Sequence, residues 1–290
     1  MIQVRRNSSF SLKTLDMTDL TIFTAVDSQR YEKFICPFIF FPLHLNDNVQ
    51  VEVHVWNAED FIFRHGSQVA LLETKFKGRF VIKEIDRKHW AAVPSASAYR
   101  FYAEPTLKSK WTKISDVDIM HIDEDPAGHF ERLESEFGKD IPYFALQRSH
   151  KPQLSGTYCV KTDDFYTDAW RKNRDEVMSH YKETDAFALK LGPFEVPVAF
   201  DEYVNWGLVT PVHGEPFKSK GDEERIRPIQ GIHMSLNRPP YPYPWQPDRP
   251  AWDITDERKK KWEKFKASED YYTLFYLMTT PEIIKMFDKI

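Results

Sequence analysis

The chain has 290 residues, of which 41% are hydrophobic and 29% charged, with a formal net charge of -4. That length can bury a sizeable core as one large domain or two ordinary ones. The charge balance gives no electrostatic case for nucleic acid, which calls for clustered cation excess. The two cysteines, Cys36 and Cys159, are too few for a disulfide scaffold and favour reduced thiols in a cytoplasmic setting.

At the N-terminus, Arg5 and Arg6 are followed by no apolar stretch, so no signal peptide is expected. Residues 1–115 have the pattern of a β-rich domain. Ser11–Leu15, Leu20–Val26 and Phe38–Phe41 are short candidate strands, the last closed by Pro42. The run Phe34–Leu45 is too short and too broken by Pro37 and Pro42 to span a bilayer. Val49–Trp56 carries the strongest signal. Valines at 49, 51, 53 and 55 alternate with Gln50, Glu52, His54 and Trp56, a period of two that buries the valines on one face. Asn and Asp residues on both sides supply turn chemistry. Gln68–Glu73, Arg79–Ile85 and Tyr99–Tyr102 continue the series. Several short strands at close spacing predict a mainly β fold, a sandwich or jelly roll, with α+β additions.

From 116 to 290 the pattern is mixed α+β, either a second region or a continuation of one domain. Val117–Ile122 alternates like a strand and ends in the acidic turn Asp123-Glu124-Asp125-Pro126. Ala127–Phe137 is a predicted helix stopped by Gly138, and Thr167–Tyr181 a second one capped by Thr167. Residues 188–236 are strand-like pieces cut by prolines. Residues 237–252 hold six prolines among Tyr241, Tyr243, Trp245 and Trp252, which makes the segment extended. Three helices follow, capped by Thr255 and Ser268 and opened by Pro281.

The chemistry in the sequence is sparse. No G-x-S-x-G elbow occurs, neither cysteine has a catalytic signature, and the glycines are isolated rather than gathered into a phosphate loop. His121-Ile122-Asp123 is an H-x-D triplet that on a strand places an imidazole and a carboxylate on one face, with His213 as a third ligand. Arg225 or Arg227 follows and can pair with an oxo-acid. The order H-x-D, distant His, then Arg resembles that of the iron and 2-oxoglutarate dioxygenases. This resemblance implies Fe(II) held by His121, Asp123 and His213, with 2-oxoglutarate on Arg225 or Arg227.

The competing expectation is a non-enzymatic structural or protein-interaction subunit without a cofactor. Its contacts would be the strap residues Tyr241, Tyr243 and Trp245 and the apolar stripe of the last helix, including Ile283 and Phe287. Its partners would be other proteins or further copies of the chain.

Overall fold

The computed structural model describes residues 18–27, 31–86, 96–147, 152–183, 188–191, 194–197, 201–218, 231–234, 255–277 and 280–287. In chain order the elements begin with strand β1 (Thr18–Asp27), helix α1 (Ile35–Leu45), β2 (Val49–Trp56), α2 (Ala58–Lys75), β3 (Phe80–Glu84), α3 (Ala96–Tyr102) and β4 (Ser109–Ile114). Next come β5 (Ile119–Met120), α4 (Pro126–Phe137), β6 (Tyr143–Phe144), β7 (Leu146–Gln147), β8 (Tyr158–Lys161), α5 (Thr162–Phe165) and α6 (Asp168–Glu183). The rest are β9 (Ala188–Leu191), β10 (Phe194–Pro197), α7 (Asp201–His213), β11 (Phe217–Lys218), β12 (Ile232–His233), α8 (Asp256–Lys266), α9 (Asp270–Leu277) and α10 (Pro281–Phe287).

The principal sheet has six strands in the order β3-β2-β1-β4-β8-β6. The first four are mutually parallel, and β8 and β6 close the far side antiparallel. This overturns the sandwich or jelly roll, because the sheet is a single layer with helices on both faces. The sheet draws strands from both sides of residue 115.

Both faces are buried. On one, Val49, Val51, Val53 and Val55 pack with Phe38 and Phe41 of α1, Phe61 and Leu72 of α2, and Trp262 of α8. On the other, Phe23 and Ala25 of β1 meet Tyr99 and Phe101 of α3, Trp170 of α6, and Val204 and Leu208 of α7. Parallel strands are covered on both faces because their crossovers lay helices there. So the polar half of β2 does not meet solvent: Glu52 is 0% and His54 3% exposed. Glu52 is satisfied internally, while His54 Nδ1 is buried without a hydrogen-bond partner. The Glu52 carboxylate accepts from the backbone N–H of Thr106 and Leu107, both at 2.8 Å, and from His54 Nε2 at 2.6 Å.

Three predicted strands are helical, each for a physical reason, and Asp201–His213, within the region read as strand-like pieces, is helix α7 as well. Phe38–Phe41 lies within α1, which is buried from Ile35 to Leu43. An apolar run without periodicity fits a buried helix as well as a buried strand. Pro42 is tolerated there, and its carbonyl accepts from Asn46 N and Asn46 Nδ2 at the helix end. Gln68–Glu73 belongs to α2, whose phase is masked by a kink at His65. The α2 start is capped by Glu84, whose carboxylate accepts from Asn57 N and Ala58 N. Tyr99–Tyr102 ends α3, where packing between the sheet and α7 overrides the β propensity of its aromatics. The predicted helices after Ala127, Thr167, Thr255, Ser268 and Pro281 correspond to α4, α6, α8, α9 and α10.

Candidate active site

β1 is flanked by β2 on one side and β4 on the other, and the chain visits the β2 side first. The strand order therefore reverses between β1 and β4. Loops leaving the carboxyl ends of such a pair diverge, and ligands of open α/β sheets bind in that crevice.

The segment that leaves β4 is fastened to its neighbour. Ser115 N donates to Phe23 O of β1 at 2.9 Å, and Ile119 N donates back to Asp116 O at 3.3 Å, closing a turn over Asp116–Ile119. Aspartate is favoured at the first position of such a turn. The turn puts two carboxylates beside the strand reversal, Asp116 partly exposed and Asp118 buried. The Asp116 carboxylate is 2.6 Å from Arg100 Nη2 of α3 and accepts from Thr157 Oγ1 at 3.3 Å. Arg100 is nearly buried and Asp116 keeps about a third of its side chain exposed (5% against 31%), so the pair sits at a wall with one open side.

Asp118 faces His233 of β12, with Nε2 3.8 Å from its carboxylate. β12 runs antiparallel to β5, pairing Ile232 with Met120 and His233 with Ile119, and Met234 N donates to Asp118 O at 2.7 Å. The approach is close enough to require glycine at 231, where a Cβ would lie 2.0 Å from Met120 O. Gly156 forms the opposite corner. A Cβ there would sit 3.1 Å from Arg100 Nη2 and 3.7 Å from both Asp116 Oδ2 and Glu202 Oε1. The lack of a side chain at 156 thus lets one guanidinium and two carboxylates close in around this backbone. Glu202 is held there in part by Leu154 N, which donates to its carbonyl at 3.1 Å.

The residues singled out from the sequence lie apart from this arrangement or behind it. His121 is buried, with Nδ1 3.2 Å from Lys113 Nζ, Nε2 3.2 Å from Ser115 Oγ, and its ring edge-on to Phe38. Asp123 is engaged by Arg258 of α8, at 3.3 and 2.7 Å, and by Lys261 at 3.6 Å. His213 stacks on Phe165 at 4.6 Å beside Tyr143, in the core on the other face of the sheet. Burial holds its pKa below the usual histidine value. Each of the three has its own partners, and among the described residues no group of three His, Cys, Asp or Glu side chains could hold a metal ion. The iron oxygenase reading is therefore set aside, together with the jelly-roll scaffold it needed.

Arg225, Arg227, Tyr241, Tyr243 and Trp245 lie outside the described residues. Ile283 is 1% exposed and packs in the chain's own core with Leu274 and Leu277. Phe287 is the last residue of α10. The structural-subunit reading is corrected as well, since the β scaffold that supported it is replaced by a layered α/β sheet with a polar crevice. Both thiols are fully buried, and desolvation pushes Cys36 up to about 12 and Cys159 well above its ordinary range, so neither is a nucleophile.

Asp116, Asp118, Arg100, Glu202 and His233 escaped the sequence reading. The i, i+2 carboxylates were visible in Ser115-Asp116-Val117-Asp118, but nothing local tied them to residues 100, 202 and 233.

These features define the class of protein: a mixed α/β chain with a mostly parallel six-stranded sheet and two ion-paired aspartates at its strand reversal. No family model and no curated protein matches the sequence. Among solved structures it is similar to the galactosyltransferase LgtC in complex with donor and acceptor sugar analogs, at 11% identity and a TM-score of 0.40, over 69% of this chain and 72% of that one. It is also similar to an active-site glutamine-to-glutamate mutant of LgtC, at 12% identity and a TM-score of 0.44, over 92% and 99%.

Proposed function

We propose that the crevice binds a diphosphate-activated donor together with a divalent cation, and that the chain is a transferase of the glycosyl type. The observation that carries this reading is the Asp116–Ile119 turn at the strand reversal, with His233 brought against Asp118. Two carboxylates and an imidazole are donors suited to magnesium or manganese. Among the described residues no three such groups converge, so Asp116, Asp118 and His233 would hold a cation only with phosphate oxygens and water supplying the rest, the usual arrangement for magnesium on a nucleotide. When bound, the cation neutralises charge that develops on a departing diphosphate.

The chain's own groups divide the remaining work. Arg100 holds the Asp116 carboxylate in place from a nearly buried position and offsets one of the negative charges there. Glu202 lies beside Gly156, close to Asp116 and Arg100. A carboxylate there suits a sugar, whose hydroxyls donate to it and whose anomeric carbon gains positive charge in transfer. Phosphoryl transfer fits less well, because such sites cradle the terminal phosphates in a glycine-rich loop and the glycines of this sequence are isolated.

The test is release of nucleoside diphosphate from a panel of nucleotide sugars, with manganese present and absent. Cation-dependent release is expected, falling at least ~100-fold in Asp118→Asn, a loss in keeping with removal of a group that steadies transition-state charge. Equal release with and without cation, or an Asp118→Asn enzyme as active as the original, sinks the reading.

A further inference from the structure

Behind the Asp116–Ile119 turn lies a buried polar chain that the proposed reaction does not itself use. Lys113 of β4 is 0% exposed, His121 3% and Ser115 0%. Lys113 Nζ is 3.2 Å from His121 Nδ1, His121 Nε2 is 3.2 Å from Ser115 Oγ, and Ser115 Oγ is 3.2 Å from Asp116 O. The direction of donation is set from the carbonyl end. Lys113 Nζ has a proton to give whether amine or ammonium, so His121 Nδ1 accepts once its proton is placed on Nε2. A carbonyl only accepts, so the Ser115 hydroxyl donates to Asp116 O and receives from His121 Nε2. Asp116 O is also the oxygen that closes the turn by accepting from Ile119 N.

We propose that Lys113, His121 and Ser115 form a one-way hydrogen-bond relay that fixes the Asp116 peptide, and so sets how the Asp116 and Asp118 carboxylates are presented to a cation–diphosphate ligand. All three are positioning residues. The inference rests on the reading of the crevice given above. Three buried polar groups in line are costly in a core unless each is bonded. Apolar residues could have stood at both places, since Lys113 lies on a strand covered on both faces and His121 packs against Phe38. Outer partners that orient ligand groups commonly change cation affinity by ~10–100-fold when removed.

The test measures manganese binding to the full chain in the presence of UDP, by the loss of the free-ion EPR signal. His121→Leu and Ser115→Ala should each weaken binding by ~10-fold or more. His121→Gln, whose amide can accept from Lys113 and donate to Ser115, and Ser115→Thr should restore most of it. Lys113→Met separates positioning from charge. Where Lys113 is charged, its removal would by itself tighten a dication, and where it is neutral its removal leaves the charge unchanged, whereas loss of the relay weakens the site in either case. A weaker site in Lys113→Met, with folding verified by circular dichroism, supports the relay; an unchanged or tighter one overturns it. Ser115→Ala, which deletes a single oxygen, carries the test if the Lys113 variant does not fold. Unmodified protein that binds no manganese with UDP overturns the crevice reading and the relay with it. Binding by the unmodified chain that is matched by His121→Leu and Ser115→Ala overturns the relay alone.

Discussion

Lys113 has exchanged water for a protein interior, and burial lowers its pKa to about 7, with Arg258 adding to the effect and Asp123 and Cys159 opposing it. Its ordinary value is 10.5, so between these limits the unfolded chain binds a proton that the folded chain has released. Stability therefore rises with pH across that window and is lost as pH falls toward the folded value. His129 acts in the same sense lower down. Burial first, then Lys113 and Arg132, lower it from 6.5 to about 4, so acid stabilises the unfolded chain through that range. We expect the urea midpoint to climb from about pH 7 to about pH 9, with a slope approaching ~1.4 kcal/mol per pH unit. Lys113→Met should flatten it. A midpoint that is level or falling over that interval in the unmodified chain contradicts the assignment. Glu52 is the second buried charge with a defined duty. Burial raises its pKa, but His54 and the Thr106 and Leu107 N–H groups outweigh that and hold it below the usual glutamate value. Glu52→Gln turns an acceptor-only group into one whose NH2 meets backbone donors, and should cost ~2–4 kcal/mol in chemical denaturation. A cost within error of zero would show that the loop at 106–107 is held by something else.

At the scale of elements, the organisation of β2 was half legible. Its period of two correctly separates four valines from Gln50, Glu52 and His54, since each valine is 0% exposed. What local pattern does not carry is the cover on the other face, because that comes from α3, a helix closed around the sheet by contacts distant in sequence. The same limit hid α1. Where a segment is apolar on every side, periodicity is lost and the choice of helix or strand passes to packing. Charged and capped helices were easier, since Thr255 at the start of α8 announces itself in the sequence and does accept from Arg258 N. The crevice was the least legible part. Its two carboxylates are neighbours in sequence, but Arg100, Glu202 and His233 join them through α3, α7 and the β5–β12 pairing. Two substitutions test these elements. Val53→Asp strands a charge between β1 and β3 and should lower stability by several kcal/mol in urea titration. Gly231→Ala, whose new methyl would press on Met120 O, should part β12 from β5. That would weaken manganese binding with UDP while leaving most of the thermal transition in place.

For the whole molecule, the crevice is assembled from pieces spread over most of the chain, held by a sheet that could not close without them. β4 is pinned between β1 and β8, α3 packs under β1 to supply Arg100, and α7 packs on α3 and α6 to bring up Glu202. The C-terminal helices join through Asp123, gripped by Arg258 and Lys261, and through Trp262, Leu274 and Ile283 in the valine-face core. A ligand that bridges Asp116, Asp118 and His233 therefore reinforces the backbone pairing that already joins the turn to β12. Mass action then makes binding visible as stability: at ~100 times its Kd, a ligand of the native state adds about 2.7 kcal/mol, a rise of several degrees for a chain of this size. Manganese and UDP should each raise the melting temperature slightly when alone, because each leaves the other's coordination unfinished. Together they should raise it by more than the sum of the two. Asp118→Asn should erase that excess and leave the separate shifts nearly as they were. Additive shifts in the unmodified chain would mean that cation and diphosphate occupy unconnected places, and the crevice would then have to be read as two sites.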